Sequence, residues 1–503
     1  MDMDDKSLQK RTILPLILSV LAIVIAPVVF LIIYAIWPDS LARQVVGTCA
    51  VLCIFPIFIF KDKYYALILF LVFFSQFIIS LTSFSLNPPV KLFLFFTDIL
   101  LFLLLVVALK QRTLVRLDPL GWLFLLFLGW LVITGFYSAH PHRSLFFFLW
   151  QFKFFILYVL ASNISMSEIF ARRVPNWIVS IILIQGLIGI AQALNGGPVG
   201  LKIIGEFTPD DLNMSNYLVS GGYRSSGTVG GTNGFAGYMA MLLVFLSPFV
   251  LKRRSLFLWS GFVIGVVALI LPLSRAGWLS FLIGFCCALL MTLRARLVRF
   301  TRLAGFLLIG GLVFSLVVGL NFDKIAHRFS DRDAQQSAMG RIGQFPSALK
   351  VIEKYPLLGV GPGVTEFFGR WNNSRIYIKK TLPDVDMSNQ VHNSLLQIGI
   401  ETGVPGVAIF LAIMAVVFAG VFRNVKKGGD VESVQLLRIG GSCAGVAVMI
   451  HILFGPEFNT PSIFMVFWIL LGLARSWPKP EASNDLAWRP NANTDLSSIL
   501  RDT

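Results

Sequence analysis

Hydrophobic residues run along this chain in blocks of about twenty, long enough to cross the hydrocarbon core of a bilayer as a helix, and polar positions fall in short breaks between them. Fourteen such helices are predicted, near 13–37, 41–60, 64–85, 92–109, 119–138, 144–163, 175–195, 233–251, 255–272, 276–293, 303–320, 403–422, 434–454 and 461–475. The expected fold is an all-α integral membrane bundle, with a polytopic domain over 1–475. The first apolar run, from Ile13 to Trp37, exceeds the apolar core of a cleaved signal peptide and reads as the first span. From Ser476 to Thr503 the chain is rich in Pro, Asn, Asp and Ser and reads as a disordered cytoplasmic tail.

The polar breaks alternate in character. Lys61 and Lys63, then Lys110, Arg112 and Arg116, then Arg172 and Arg173, then Lys252 to Arg254, then Arg294 to Arg302, and finally Arg423, Lys426 and Lys427 all fall on one side. The intervening turns are poor in basic residues. By the positive-inside rule the basic side is cytoplasmic, and both termini belong there. Two outer segments are long, 195–232 and 321–402, and loops of that length in a compact membrane protein tend to be functional. The second is expected to be a catalytic loop. Within it GRIGQFPSALKVIEKYPLLGVGPG predicts an amphipathic helix with Ile342, Phe345, Leu349 and Ile352 on one face, able to lie on the membrane surface. It stops before Pro356 and leads into a turn through Gly359, Gly361 and Gly363. Further on, His392 and Asn393 open a helix at the outer interface.

Composition narrows the reading further. Of 503 residues 56% are hydrophobic and 14% charged, against about a quarter charged in soluble domains. The formal net charge of +16 could point to nucleic acid, but its placement in inner loops accounts for it without such a partner. The five cysteines lie in apolar stretches with no zinc or disulfide spacing.

The candidate chemistry lies opposite the basic loops. Arg224 in GGYRSSGTVGGTNGFAGY, Arg275 in LPLSRAGWL and Arg341 at the head of the amphipathic helix all face outward, and converging guanidinium groups match phosphate oxygens bidentately at any relevant pH. Diphosphate is the natural guest. Each has a bland alternative: Arg275 snorkelling to headgroups, Arg224 in a mobile outer loop, Arg341 as a solvated charge. Among five histidines, His392 stands beside Asn393 where an imidazole can take a proton from a sugar hydroxyl, whereas His140, His142, His327 and His451 read as structural. Asp98 and Lys153 are ionisable groups inside apolar spans, either functional or paired with each other. The Asp331/Asp333 and Asp384/Asp386 pairs have the spacing of metal-binding transferase motifs, a weak signal in polar loops.

The four segments GYRSSGTVGGTNGFAGYMAM, PLSRAGWLSF, GRIGQFPSALKVIEKYPLLGVGPG and VHNSLLQIGIETGVPGVAIF resemble, in order and spacing, the motifs of the O-antigen ligase and polysaccharide polymerase superfamily. The resemblance implies a GT-C-like glycosyltransferase in the bacterial inner membrane. Such an enzyme moves a glycan from undecaprenyl diphosphate to an acceptor on the periplasmic face, without metal or cofactor. It implies Arg224 and Arg275, with Arg341 a weaker match, as diphosphate-binding residues and His392 as catalytic; Asn393, Glu401, Lys153 and Asp98 are expected to support them. The acceptor is a glycan or a lipid A-core-like molecule, so ligation is the leading expectation and polymerisation the alternative. Fourteen spans depart from the twelve expected of the ligase branch. A lipid-linked glycan flippase is the rival of another class, with Asp98 and Lys153 as a midplane pair, but no internal repeat supports it.

Overall fold

The computed structural model describes residues 62–77, 80–86, 90–111, 115–138, 140–207, 218–219, 222–305, 332–364, 391–425, 431–455 and 460–478, with isolated positions between 311 and 326. The expected spans 13–37 and 41–60, and most of 303–320, lie outside them. The helices are α1 Lys63–Phe74, α2 Phe96–Lys110, α3 Pro119–Phe136, α4 Pro141–Ser162, α5 Glu168–Asn195 and α6 Thr232–Lys252. They continue as α7 Leu256–Ile270, α8 Arg275–Arg294, α9 Arg332–Lys354, α10 Ser394–Val425, α11 Glu432–His451 and α12 Pro461–Arg475. Among the described residues, seven helices (α3, α4, α5, α6, α8, α10 and α11) are long and apolar enough to cross a membrane, and α1, α7 and α12 are shorter apolar helices. The protein is an all-helical, multi-pass membrane protein.

Helix α6 is the axis of the bundle. It is apolar on every side, and from Gly234 to Leu251 every residue is buried against α5, α7, α8, α11 or α12. Small residues let neighbours close in: a Cβ on Gly277 of α8 would stand 2.5 Å from that of Ala236, and one on Gly440 of α11 2.5 Å from the Phe245 carbonyl oxygen.

The third and fourth expected spans take a different form. Helix α1 ends at Phe74, an antiparallel hairpin of β1 Ser80–Leu86 and β2 Val90–Phe95 follows, and α2 begins only at Phe96. From Ser83 to Leu86 hydroxyl and apolar residues alternate with the period of a strand, and the following Pro88 and Pro89 cannot donate to a helical ladder.

The bundle has two chemically distinct ends. At one end the basic loops are ion-paired and capped: Lys252 to Glu432 at 2.7 Å, Arg475 to Asp118 at 2.7 Å with Tyr158 donating to the same carboxylate at 2.6 Å, and Arg253 donating to Ser433 Oγ at 3.1 Å. Arg438, fully buried, donates to the Ala474 carbonyl at 3.1 Å. Just past α12, Trp477 and Pro478 pair with Ser165 and Met166. The starts of α6, α8, α10 and α12 lie at the opposite end.

Helix α9 is amphipathic: Ala348 and Val351 are buried with Val360, Val364, Val391 and Ile400, while Phe345 and Leu349, on the face expected to meet the membrane surface, are exposed. Gly399 of α10 opens a notch that admits Ile352.

Candidate functional site

The segment 224–231 is largely buried in the bundle. Arg224 is 5% exposed and Ser225 to Thr228 are fully buried. Backbone with no ladder of its own needs other partners inside an apolar bundle. Helix α5 supplies them: Gln192 Oε1 accepts from the N–H groups of Ser226 (3.0 Å) and Gly227 (2.9 Å), and Gln185 Oε1 accepts from that of Thr228 (3.0 Å). Ser225 Oγ donates to the Gly189 carbonyl at 2.7 Å. At Gly227, φ is 57° and a Cβ would stand 2.5 Å from Gln185 Oε1, so only glycine suits the turn.

Arg224, so placed, reaches across to the next element. Its Nε donates to the Pro272 carbonyl at 2.7 Å, and its terminal nitrogen lies 3.3 Å from Asn233 Oδ1 at the start of α6. Pro272 belongs to the turn that delivers Arg275. There Leu273 is buried at φ 51°, sparsely populated for a non-glycine residue, and Ser274 caps α8 by accepting from the Gly277 N–H at 3.3 Å. Arg275 is the first residue of α8 and half-buried. The structure thus brings Arg224 and the Arg275 turn together.

His392 and Asn393 precede α10 at the same end. The His392 N–H donates to Gln344 Oε1 at 3.2 Å, which ties this point to α9. Arg341 lies on α9 one turn before Gln344; its side chain is outside the described residues. Asn393 is a helix cap: its Oδ1 accepts from the Leu396 N–H at 3.0 Å and its Nδ2 donates to the Leu453 carbonyl at 3.0 Å. Ser394 adds bonds from its N–H to the Ile452 carbonyl and from its Oγ to the Gly455 carbonyl, both at 3.0 Å. The end of α11 that receives them packs His451 against Gly237 of α6, one turn below Asn233. The His392 and Arg224 regions are therefore linked through α11 and α6.

Glu401, 1% exposed, organises the glycine turn. Its Oε2 accepts from the Gly363 N–H at 2.9 Å and its Oε1 lies 3.4 Å from the Gln397 amide nitrogen. The Val360 and Gly361 N–H groups donate to the carbonyls of Ile400 (2.8 Å) and Glu401 (3.0 Å), as α10 breaks at Gly403 with φ 70° and ψ −175°. The turn is also fastened to α4, where Ser144 Oγ donates to the Pro362 carbonyl at 2.8 Å. Beside it, burial and the neighbouring Arg143 hold His140 below the usual imidazole range, so it is neutral at pH 7.

Asp98 and Lys153 are spent on each other. Lys153 Nζ lies 2.8 Å from Asp98 Oδ1 and over the rings of Phe95 (5.5 Å) and Trp150 (5.2 Å), while Asp98 Oδ2 accepts from the Phe95 N–H at 2.9 Å, capping α2. Asp331, Asp384 and Asp386, with the Asp333 side chain, lie outside the described residues.

The amides were the residues missed. Gln76, Gln185, Gln192 and Gln397 are all buried polar groups of apolar helices or their ends. QGLIGIAQ, residues 185–192, carries the signal: glutamines two turns apart, with Gly186 and Gly189 between, leave a helix face that backbone can approach.

The family model described as O-antigen ligase matches residues 260–411. The similarity takes in α8, α9 and the first half of α10. Arg275, Arg341, His392, Asn393 and Glu401 lie within the match, and Arg224, Asp98 and Lys153 outside it. No curated protein matches the chain. The match spans under a third of the chain, and over that stretch the chain is similar to the O-antigen ligase family.

Proposed function

We propose that the protein works as an inverting, metal-independent glycosyltransferase that moves a glycan from undecaprenyl diphosphate to an acceptor hydroxyl on the periplasmic face of the inner membrane. The observation that carries the reading is the hydrogen bond from buried Arg224 to the carbonyl of Pro272, which draws two arginines to one end of the bundle, the end away from the basic loops. A nucleotide sugar confined to the cytoplasm does not reach that end; a flipped, lipid-linked donor does.

The roles follow from the residues. Arg224 and Arg275, with Arg341 from the outer helix, neutralise the diphosphate as it departs. His392 takes the acceptor proton as the hydroxyl oxygen attacks the anomeric carbon. The new oxygen–carbon bond forms while the bond from that carbon to the phosphate oxygen breaks, its electron pair leaving with the lipid diphosphate. One displacement inverts the anomeric centre. Asn393 and Glu401 support by fixing the start of α10 and the glycine turn, and Asp98 with Lys153 by joining α2 to α4.

A flippase would need Asp98 and Lys153 available to cargo, and their mutual pairing favours the enzyme. Purified protein in detergent, given a defined undecaprenyl-diphosphate glycan with lipid A-core and glycan acceptors, is expected to transfer glycan in the presence of chelator. Capture by lipid A-core marks a ligase and chain growth a polymerase. No transfer in detergent, with glycolipid translocation in vesicles, would overturn the reading.

A further inference from the structure

The clamp on 224–231 is more elaborate than burying a loop requires. Gln192 uses both halves of its amide: Oε1 takes the Ser226 and Gly227 N–H groups, and Nε2 donates to Glu206 Oε1 at 2.7 Å and to the Gly227 carbonyl at 3.2 Å. Glu206, 2% exposed, also accepts from the Val199 (2.8 Å) and Leu201 (2.5 Å) N–H groups, which anchors the outer segment leaving α5. Gln185, besides accepting from Thr228, donates to Thr228 Oγ1 at 2.6 Å and to Gln76 Oε1 at 3.2 Å, and Thr228 Oγ1 donates to the Gln76 carbonyl at 2.8 Å. Gln76 stands just past the end of α1.

The loop is thus held along α5 from Gln192 to Gln185, the deeper contact about 15 Å down the helix from its end at Asn195. The residues that Gln192 holds, Ser226 and Gly227, lie two and three positions past Arg224 in sequence, and Arg224 is fixed on its other side by the turn that delivers Arg275. A neutral amide is suited to this task, because it satisfies donors and acceptors together without adding a charge beside the arginine pair.

We infer that Gln192 and Gln185 are positioning residues that set the height and orientation of Arg224 for the donor diphosphate, with Glu206 as the fixed base on which Gln192 rests. The inference rests on the proposed role of Arg224. Its consequence is selective: moving the clamp changes recognition of the lipid-linked donor and leaves the acceptor untouched, because no clamp residue belongs to α9 or α10.

The test exchanges the two ends of one hydrogen bond. Gln192→Glu sets a carboxylate against Glu206, and kcat/KM for the undecaprenyl-diphosphate donor should fall about 10²-fold, as for a displaced binding group. The acceptor KM should stay near the parent value, while the unfolding temperature in detergent falls because both carboxylates are buried. Adding Glu206→Gln restores a donor and an acceptor across the contact, though it gives up the acceptor that Glu206 Oε1 offers the Val199 N–H, and donor kcat/KM should recover by about tenfold. Gln185→Asn, which shortens the reach by one methylene without a charge, should raise donor KM alone and serves if Gln192→Glu does not insert. Normal donor KM in both single variants while Arg224→Ala is inactive overturns the inference and leaves the proposed function standing. A folded Gln192→Glu that the second substitution fails to rescue also overturns it. Full activity of Arg224→Ala overturns both.

Discussion

Lysine and arginine carry the same charge, but only arginine presents a planar fork that binds two phosphate oxygens at once. Arg275→Lys should therefore fail nearly as badly as Arg275→Ala, with turnover down about 10²-fold or more at equal protein level. Near-normal activity of both would return Arg275 to snorkelling at the interface. For His392 the argument turns on the proton: His392→Ala should abolish transfer in a folded, inserted protein, while His451→Ala should not abolish chemistry. General-base assistance is worth about 10² to 10⁴-fold, and parent activity should fall on the acid side as imidazole protonates. If His392→Gln keeps most of the turnover and the acid limb persists unchanged, the residue only positions the acceptor. Isolated ionisable residues such as Arg224, Arg275 and His392 were legible in the sequence because charge is rare in this chain. Gln185 and Gln192 were not, since an amide in an apolar helix reads as a tolerated polar residue until a buried loop is found to need it.

Breaks and turns, rather than helices, carry the information among the elements. Gly403 stands at φ 70° where α10 changes direction, and a Cβ there would overlap the carbonyl of Leu357; Gly359, at φ 66°, faces the backbone of Glu401 in the same way. Gly403→Ala is expected to cost more than about 1 kcal/mol, beyond the ordinary glycine-to-alanine difference, because both backbone and space refuse the methyl. A lower unfolding temperature with weakened transfer would show it, and an unchanged protein would count against the kink as a fixed feature. The Asp98 and Lys153 pair is the opposite kind of feature, a link between two helices. Its side chains are only 22% and 13% exposed, so Lys153→Met should destabilise, and adding Asp98→Asn should recover part of the loss, with a coupling of about 0.5–3 kcal/mol in a double-mutant cycle. Strict additivity would mean that the two groups do not support each other. Positions of α3 to α8, α11 and α12 followed from apolar length, whereas α9 followed from its amphipathic periodicity and α10 starts nine residues before its expected span. The hairpin at 80–95 did not follow, because its apolar content meets the same window average and only the short alternation from Ser83 to Leu86 and the prolines after it mark it.

Over the whole molecule, the separation of basic loops from candidate chemistry becomes a statement about sides. One end of the bundle gathers Lys252, Arg253, Asp118, Arg475 and Arg438 in ion pairs and carbonyl contacts, and the other gathers Arg224, Arg275, His392 and the glycine turn. By the positive-inside rule the first end is expected to be cytoplasmic, which would put the proposed site on the periplasmic side, the side of a flipped donor. The proposed chemistry depends on this orientation. A reporter fused after Thr503 is expected to be active only when scored for the cytoplasm, and one inserted within 365–390, the part of the long loop farthest in sequence from both its helices, only when scored for the outer side. Labelling with a membrane-impermeant thiol reagent gives the same answer independently: a cysteine placed at exposed Lys350 should react in intact cells, and one at exposed Arg254 only after the membrane is opened. If the C-terminal reporter is active outside and the Lys350→Cys label fails in intact cells, the arginines and His392 face the cytoplasm. The donor would then be an unflipped or nucleotide-linked sugar, and the histidine mechanism would have to be rebuilt around it.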